Sequence, residues 1–262
     1  MAQRRAGERR RALAWWLCAS LLACAAPPRT PGDLAAAAIA ARGGPLPSFA
    51  RSSELTVHAG FPGVWRWELA YAVPSRLELR LRTSAETQTL VSDGVTLRTY
   101  LGDGLVSSEP AHGSGVAALV SFVALSNLDV LADASQVRTE DADATELPSG
   151  AVRGLRAWLR DFSSCDLRSA SPRCALDGLP GGPFTLGFDS KLRLVGLAGP
   201  VAVPGLGDGP LEARFEDFRR VGHWWLPFAI HYRFRGAPLV DESVDAWRTD
   251  VELPGSSPPS RR

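Results

Sequence analysis

Apolar residues recur at period two along two long stretches of this chain, and a helix-like run separates them. Leu55, Val57 and Ala59 alternate with Thr56 and His58, and a Phe61-Pro62-Gly63 turn follows. Trp65, Trp67, Leu69, Tyr71 and Val73 then face one way, while Arg66, Glu68, Ala70 and Ala72 face the other. Such alternation marks a strand with one buried and one wet face, because successive side chains project to opposite sides of a sheet. Pro74-Ser75 breaks the run, and Leu77, Leu79 and Leu81 resume it against Arg76, Glu78, Arg80 and Arg82. Residues 87–91 and 95–101 flank an Asp93-Gly94 hairpin signal, and Asp103-Gly104 turns the chain again before 105–108. Residues 116–131 are apolar around much of a helical circumference and predict a helix covering the apolar face of this meander. A second meander begins near Gln136 and resumes at 184–188, 192–197, 211–218, 225–234 and 239–247. In 225–234, Phe228, Ile230, Tyr232 and Phe234 again alternate with Ala229, His231, Arg233 and Arg235. Nearer the start, Asp33 is placed to cap a slim, alanine-rich helix over 34–42 that Gly43-Gly44 and Pro45 stop. The pattern predicts an α+β, mainly β fold: antiparallel sheet, one face strongly apolar, with helices over that face.

The first 24 residues follow a different logic. Five arginines precede a twelve-residue apolar run over 12–23, the profile of a signal peptide. Twelve residues fall short of the ~20 helical residues that a hydrocarbon core requires. The run ends in Leu21-Leu22-Ala23-Cys24, which resembles the bacterial lipobox. That resemblance implies acylation of the Cys24 thiol, palmitate-type chains on the mature N-terminus, and anchoring in the outer membrane facing the periplasm, since Ala25 and not Asp follows the cysteine. Each buried methylene adds ~0.8 kcal/mol, so several chains anchor stably where one does not. An ordinary cleaved signal, leaving an unanchored protein, is the alternative. The chain therefore divides into a signal peptide (1–23), a Pro-rich tether (24–32), one domain (33–252) and a tail (253–262).

Composition narrows the function. The whole chain carries a formal charge of +1; residues 1–23 account for five arginines and one glutamate, which leaves 24 basic and 27 acidic side chains, or −3. Neither that balance nor any basic patch with interleaved aromatics suits nucleic acid. Of four cysteines, Cys18 leaves with the signal and Cys24 carries lipid, so Cys165 and Cys174 read as a loop disulfide in an oxidising compartment, stabilising by ~2–3 kcal/mol. A zinc site would need a second ligand pair. His112-Gly113-Ser114-Gly115 is the nearest approach to a nucleophile elbow and reads better as a hinge before the helix. The acidic stretch 139–146 lacks the glycine of a calcium loop, and Gly205-Leu206-Gly207-Asp208-Gly209 lacks the Lys-Ser/Thr of a phosphate loop. His58, His112, His223 and His231 share no metal-type spacing, and His58 and His231 alternate onto the wet face.

Four stretches together carry a family resemblance. They are the Trp-rich strand, Pro74-Ser75-Arg76-Leu77-Glu78-Leu79, the Asp93-Gly94 hairpin, and Trp224-Trp225-Leu226-Pro227-Phe228-Ala229-Ile230 after Phe215-Glu216-Asp217-Phe218. Over roughly residues 33–250 the chain resembles the LolA/LolB-like superfamily of periplasmic carriers, and more its lipoprotein-anchored members. The resemblance implies an incomplete barrel closed by helices. It also implies a cavity for an acyl chain, lipid or lipoprotein, with no catalytic residue and no cofactor. Trp65, Trp67, Leu69, Tyr71, Leu77, Leu79, Leu119, Phe122, Phe228, Ile230 and Tyr232 would line that cavity. The acceptors of that family carry an exposed leucine on an early loop, whereas the matching Thr83-Ser84-Ala85-Glu86 connection is polar, which leaves a relative with different cargo open. A second reading fills the cavity and makes the chain an envelope scaffold whose outer Arg76, Arg80, Arg233 and Arg235 meet a protein partner. An apolar pocket above roughly 300 Å³ favours the carrier; a packed interior favours the scaffold.

Overall fold

Thirteen strands among the described residues form one antiparallel sheet in the order β6-β5-β4-β3-β2-β1-β13-β12-β11-β10-β9-β8-β7. This computed structural model describes residues 28, 30–73, 76–83, 85–93, 96–110, 117–133, 137–159, 183–203 and 205–253. Cys24, Cys165, Cys174, the signal segment, residues 112–115 and the tail beyond 253 lie outside them. One meander contains β1 (Ser48–Val57), β2 (Gly63–Ala72), β3 (Arg76–Arg82), β4 (Thr87–Ser92), β5 (Thr96–Leu101) and β6 (Gly104–Pro110). The other contains β7 (Val137–Asp141), β8 (Arg153–Leu159), β9 (Phe184–Phe188), β10 (Leu194–Val203), β11 (Gly207–Val221), β12 (Trp224–Phe234) and β13 (Ala237–Thr249). The β1–β13 pair, Phe49 opposite Thr249 through Val57 opposite Val240, joins the two. β6 and β7 end the sheet without pairing to each other, so the barrel stays open.

That the sheet curls follows from its helices. The first, α1 (Pro31–Arg42), packs against both β12 and β7. Five strand spacings separate those two strands, about 24 Å on a flat sheet, and a helix ~10 Å across reaches both only if the sheet bends around it. The second, α2 (Ala117–Ser126), packs on β10, and a 3₁₀ turn over Asp129–Ala132 follows it and touches α1. The predicted helix over 116–131 is therefore two pieces. Leu128 stands between them at φ 65°, a left-handed conformation that no α-helix accommodates. α1 also begins earlier than its predicted start at Leu34. Thr30 is its N-cap and accepts from the Asp33 N–H, while the Asp33 carboxylate accepts from the Thr30 N–H, so Asp33 is the third residue of a capping box and not the cap.

One continuous core fills the concave side: Leu34, Ala35, Ala38 and Ile39 of α1, Phe122 to Leu125 of α2, and inward residues of both meanders. Its alternation is the one read from the sequence, but its first strand starts seven residues earlier than Leu55, at Ser48. The polar sequence Arg51-Ser52-Ser53-Glu54 hid that strand. β8 is also additional to the sequence reading. On β8, β9 and β10, Gly154, Gly187 and Gly196 pair in a row across three strands. A Cβ on Gly187 would sit 2.7 Å from the Ala151 side chain and 2.9 Å from Pro148, and one on Gly196 would sit 2.3 Å from Pro148. The row is bare because the connection before β8 lies flat upon it.

Candidate functional site

A cleft opens where α1, the end of α2 and the β10–β13 wing meet. Phe49, Leu194, Phe215, Phe218, Leu226 and Trp247 give it an apolar wall, and Arg42, Arg51 and Arg193 add cationic groups. Its free volume is about 40 Å³. Pockets for drug-sized ligands span ~300–1,000 Å³. In this conformation the cleft lies well below that range.

Beneath it lies a charged cluster that the alternation pattern did not anticipate. Arg51 and Glu242 face inward from neighbouring strands and are both buried. Arg51 Nη2 donates to Glu242 Oε2 at 3.1 Å, and Arg51 Nε lies 2.9 Å from Oε1 without hydrogen-bond geometry. The same carboxylate accepts from Ser53 Oγ at 2.7 Å, Trp67 Nε1 at 2.9 Å and Tyr232 Oη at 2.9 Å. The Arg51 guanidinium carbon stands 5.5 Å from the ring centroids of both Trp67 and Trp247, a cation–π arrangement. Burial pulls the Arg51 pKa down, but the Glu242 carboxylate and then Tyr232 more than offset it, so the net shift is upward. Burial first, and the Glu242 carboxylate second, push the Tyr232 phenol well above its ordinary value. Arg51 and Tyr232 thus hold their protons across any physiological pH.

A second buried arginine ties a cover, made of α2 and the 3₁₀ turn, to α1. Arg42 Nη1 donates to the Asn127 carbonyl, and Nη2 donates to Gly44 O at 3.0 Å and to Asp129 Oδ1. The Asp129 carboxylate also accepts from the Leu46 N–H, and Asn127 Nδ2 donates to Leu46 O at 3.0 Å. These bonds hold the Leu128 kink in place. Gly43 supplies the left-handed C-cap of α1 at φ 119°, where a Cβ would stand 2.2 Å from the His223 carbonyl. Only glycine lets α1 end against the β11–β12 hairpin.

The predicted cavity residues divide into groups. Leu69, Tyr71, Leu77, Leu79, Phe122 and Ile230 are all buried in the one core, together with the half-buried Trp67 and Tyr232. Trp65 is half-buried and outside that cluster. Phe228 is also outside it: the Arg219 guanidinium carbon lies 4.7 Å from its ring centroid. Asp217 of the neighbouring strand, at φ 50°, is passed over in the β11–β12 register, between Glu216 opposite Ala229 and Phe218 opposite Pro227. Leu119 belongs to α2, and its side chain is outside what the structure describes. Of the residues that line the cleft, Arg42, Arg51 and Arg193 carried no signal in the alternation: Arg42 ends a helix, Arg193 lies in the β9–β10 turn, and Arg51 faces inward where an apolar residue is the ordinary choice.

On the convex side, His58 Nε2 and His231 Nδ1 each lie 2.6 Å from one oxygen of Asp241. These bonds hold the Asp241 carboxyl below the usual carboxylate range. The wet-face assignment of both histidines holds, with a shared partner the sequence did not indicate. Of the acids of 139–146, Glu140 pairs with Arg138 and Arg156, and Glu146 with Arg156. Among the described residues no group of His, Cys, Asp and Glu is placed to hold a metal ion, and no helix is long and apolar enough to cross a membrane.

No protein-family model and no curated protein matches this sequence. Solved structures do. A LolA superfamily protein from Nitrosomonas europaea superposes with a TM-score of 0.55 at 13% identity, covering 86% of this chain and 96% of its own. A domain from Vibrio parahaemolyticus named for outer membrane lipoprotein sorting gives 0.52 at 11%, covering 86% and 94%. A DUF1329 family protein from Desulfovibrio piger gives 0.52 at 11%, covering 86% and 96%. The chain has the LolA-like fold: an open, curled antiparallel sheet with helices on its concave face.

Proposed function

We propose that this chain is a non-enzymatic envelope lipoprotein, anchored in the outer membrane through Cys24, that takes an acyl chain, lipid or lipoprotein into its half-barrel. The observation that carries the reading is the apolar cleft between the curled sheet and a cover made of α2 and the 3₁₀ turn, with α1 beside it. The Vibrio neighbour's name, a lipoprotein-sorting domain, supports the same class of cargo. Cargo takes its place when the cover shifts, hinged at the kinked Leu128 and released from Arg42. Titration of the delipidated chain with a fluorescent fatty acid is expected to saturate near one site per molecule; a linear, unsaturable signal would sink the carrier reading. Mass spectrometry of lipids retained through purification would identify the cargo, and loss of membrane association in Cys24→Ala would establish the anchor.

The scaffold reading has one observation in its favour, the 40 Å³ free volume of the cleft. Under it the packed core is the final state and a protein partner docks on the outer surface. Arg80, Arg233 and Arg235 of that surface already bond within the fold, to Glu78, the Gly236 carbonyl and the Asp208 carbonyl. Their engagement weakens the partner contact proposed for them, so the carrier reading stands first.

A further inference from the structure

We propose that the cleft selects cargo with an anionic head, a carboxylate or phosphate on an acyl chain, over neutral lipid of the same length. This rests on the carrier reading above and adds a ligand class to it. Three arginines line the cleft, Arg42, Arg51 and Arg193, and among the described residues no acidic one does. Their counter-ions stand behind them: Asp129 against Arg42 at 2.5 Å, Glu242 against Arg51 at 2.9 Å, and Asp189 against Arg193 at 2.6 Å. In each pair the arginine borders the cleft and its carboxylate does not, so three cationic groups share one small space. They are fixed before any ligand arrives, which removes the cost of orienting them. The Nε atom of the buried Arg42 has no hydrogen-bond partner among the described residues. A buried donor left unmatched in a site of this polarity is the feature an anionic acceptor satisfies. The apolar wall of Phe49, Phe215 and Trp247 gives the adjoining surface for the chain. Arg193, with its guanidinium carbon 4.8 Å from the Phe218 ring centroid and its side chain 30% exposed, is the arginine an arriving head meets from solvent.

The test uses the delipidated full chain and three ligands with the same twelve-carbon tail: laurate, dodecyl phosphate and 1-dodecanol. Each competes against a fluorescent fatty acid. Laurate or dodecyl phosphate should displace it at concentrations at least about tenfold lower than dodecanol, the margin expected of one or two charge-assisted hydrogen bonds. Which anion leads separates a free fatty acid from a phosphate-bearing lipid as the source. Arg193→Gln should narrow the gap between anion and alcohol, and Arg193→Lys should keep most of it. Dodecanol competing as well as both anions would overturn the inference while leaving the carrier reading intact. Saturable binding by none of the three would overturn the carrier reading itself. If Arg193→Gln does not fold, the wild-type gap between laurate and dodecanol decides alone.

Discussion

Glu242 is the residue whose removal should damage this fold most for its size. Its side chain has no solvent exposure and collects donors from Arg51, Ser53, Trp67 and Tyr232. Glu242→Ala leaves a buried guanidinium without its counter-ion and three further donors without an acceptor. Breaking a buried pair from one side costs ~3–5 kcal/mol, chiefly for stranding the other charge. For a domain near 220 residues each kcal/mol moves the melting temperature by ~2–4 °C, so the loss should be ~6–20 °C. A total stability of ~5–15 kcal/mol makes this a large fraction. Thermal melts of wild type and variant, followed by circular dichroism, measure it directly. Two controls separate charge from packing. Tyr232→Phe removes one neutral donor from the same carboxylate and should cost only about 1 kcal/mol. The double change Arg51→Met with Glu242→Leu removes both charges at similar volume and should recover most of the loss, since a well-packed apolar pair commonly equals a buried ion pair. A double variant as unstable as the sum of both single ones would refute the account. So would Glu242→Ala melting within 2 °C of wild type.

Other outcomes follow from single features. Gly187→Val should destabilise by several kcal/mol, because its side chain drives into Pro148 and Ala151, while Gly60→Ala, at a turn with open space around it, should cost mainly backbone strain; urea midpoints compare them. Thr30→Ala removes one half of the capping box on α1 and should cost ~1 kcal/mol in the same assay. The Asp241 carboxyl has a folded pKa below its unfolded one, so its stabilisation is complete above the usual carboxylate pKa and disappears as pH falls through the lowered value. Asp241→Asn should therefore flatten the acid side of the stability profile by a small amount, the carboxylate being half exposed; an unchanged slope below pH 4 would contradict the bonds to His58 and His231.

The sheet was legible because its meanders obey one rule, apolar inward and polar outward, and the strands from β2 to β5 and at β12 obey it nearly everywhere. The two misplacements have physical causes. β1 inverts the rule at Arg51 and Ser53, polar residues facing inward, because each finds its partner on β13, nearly 200 residues further on. No local window contains that information. Phe228 obeys the rule in sequence yet is only half-buried outside the core cluster, between the buried Leu226 and Ile230, and its ring faces the Arg219 guanidinium. The helix over 116–131 was right in substance and wrong in continuity, since its kink depends on Arg42, 85 residues away. The cleft was the least legible feature of all. Its apolar wall could be guessed from the stripe, but its three arginines, each backed by a distant or loop carboxylate, could not.

The burial of the cover constrains how a carrier could load, and the constraint can be measured. The cover inserts Phe122, Val123, Leu125, Leu128, Val130 and Leu131 into the core, all buried. Exposing six such side chains to water costs ~9–18 kcal/mol at 1.5–3 kcal/mol each. At the lower bound the open form would occur in about one molecule in a million, because each 1.4 kcal/mol is tenfold. Waiting for that form would cap the loading rate, whatever the ligand concentration. Loading by exchange has no such cap, since the apolar tail replaces the contacts of the cover as they break and little surface meets water. The two routes separate in a stopped-flow experiment on the delipidated chain with a fluorescent fatty acid. Under exchange, the observed rate rises linearly with ligand over at least a tenfold range, and Arg42→Met, which unties Asn127 and Asp129 of the cover from α1, steepens the line. A rate that reaches a plateau at low ligand concentration would show that the cover opens by itself first. The interior would then have to be far less costly to expose than its burial indicates.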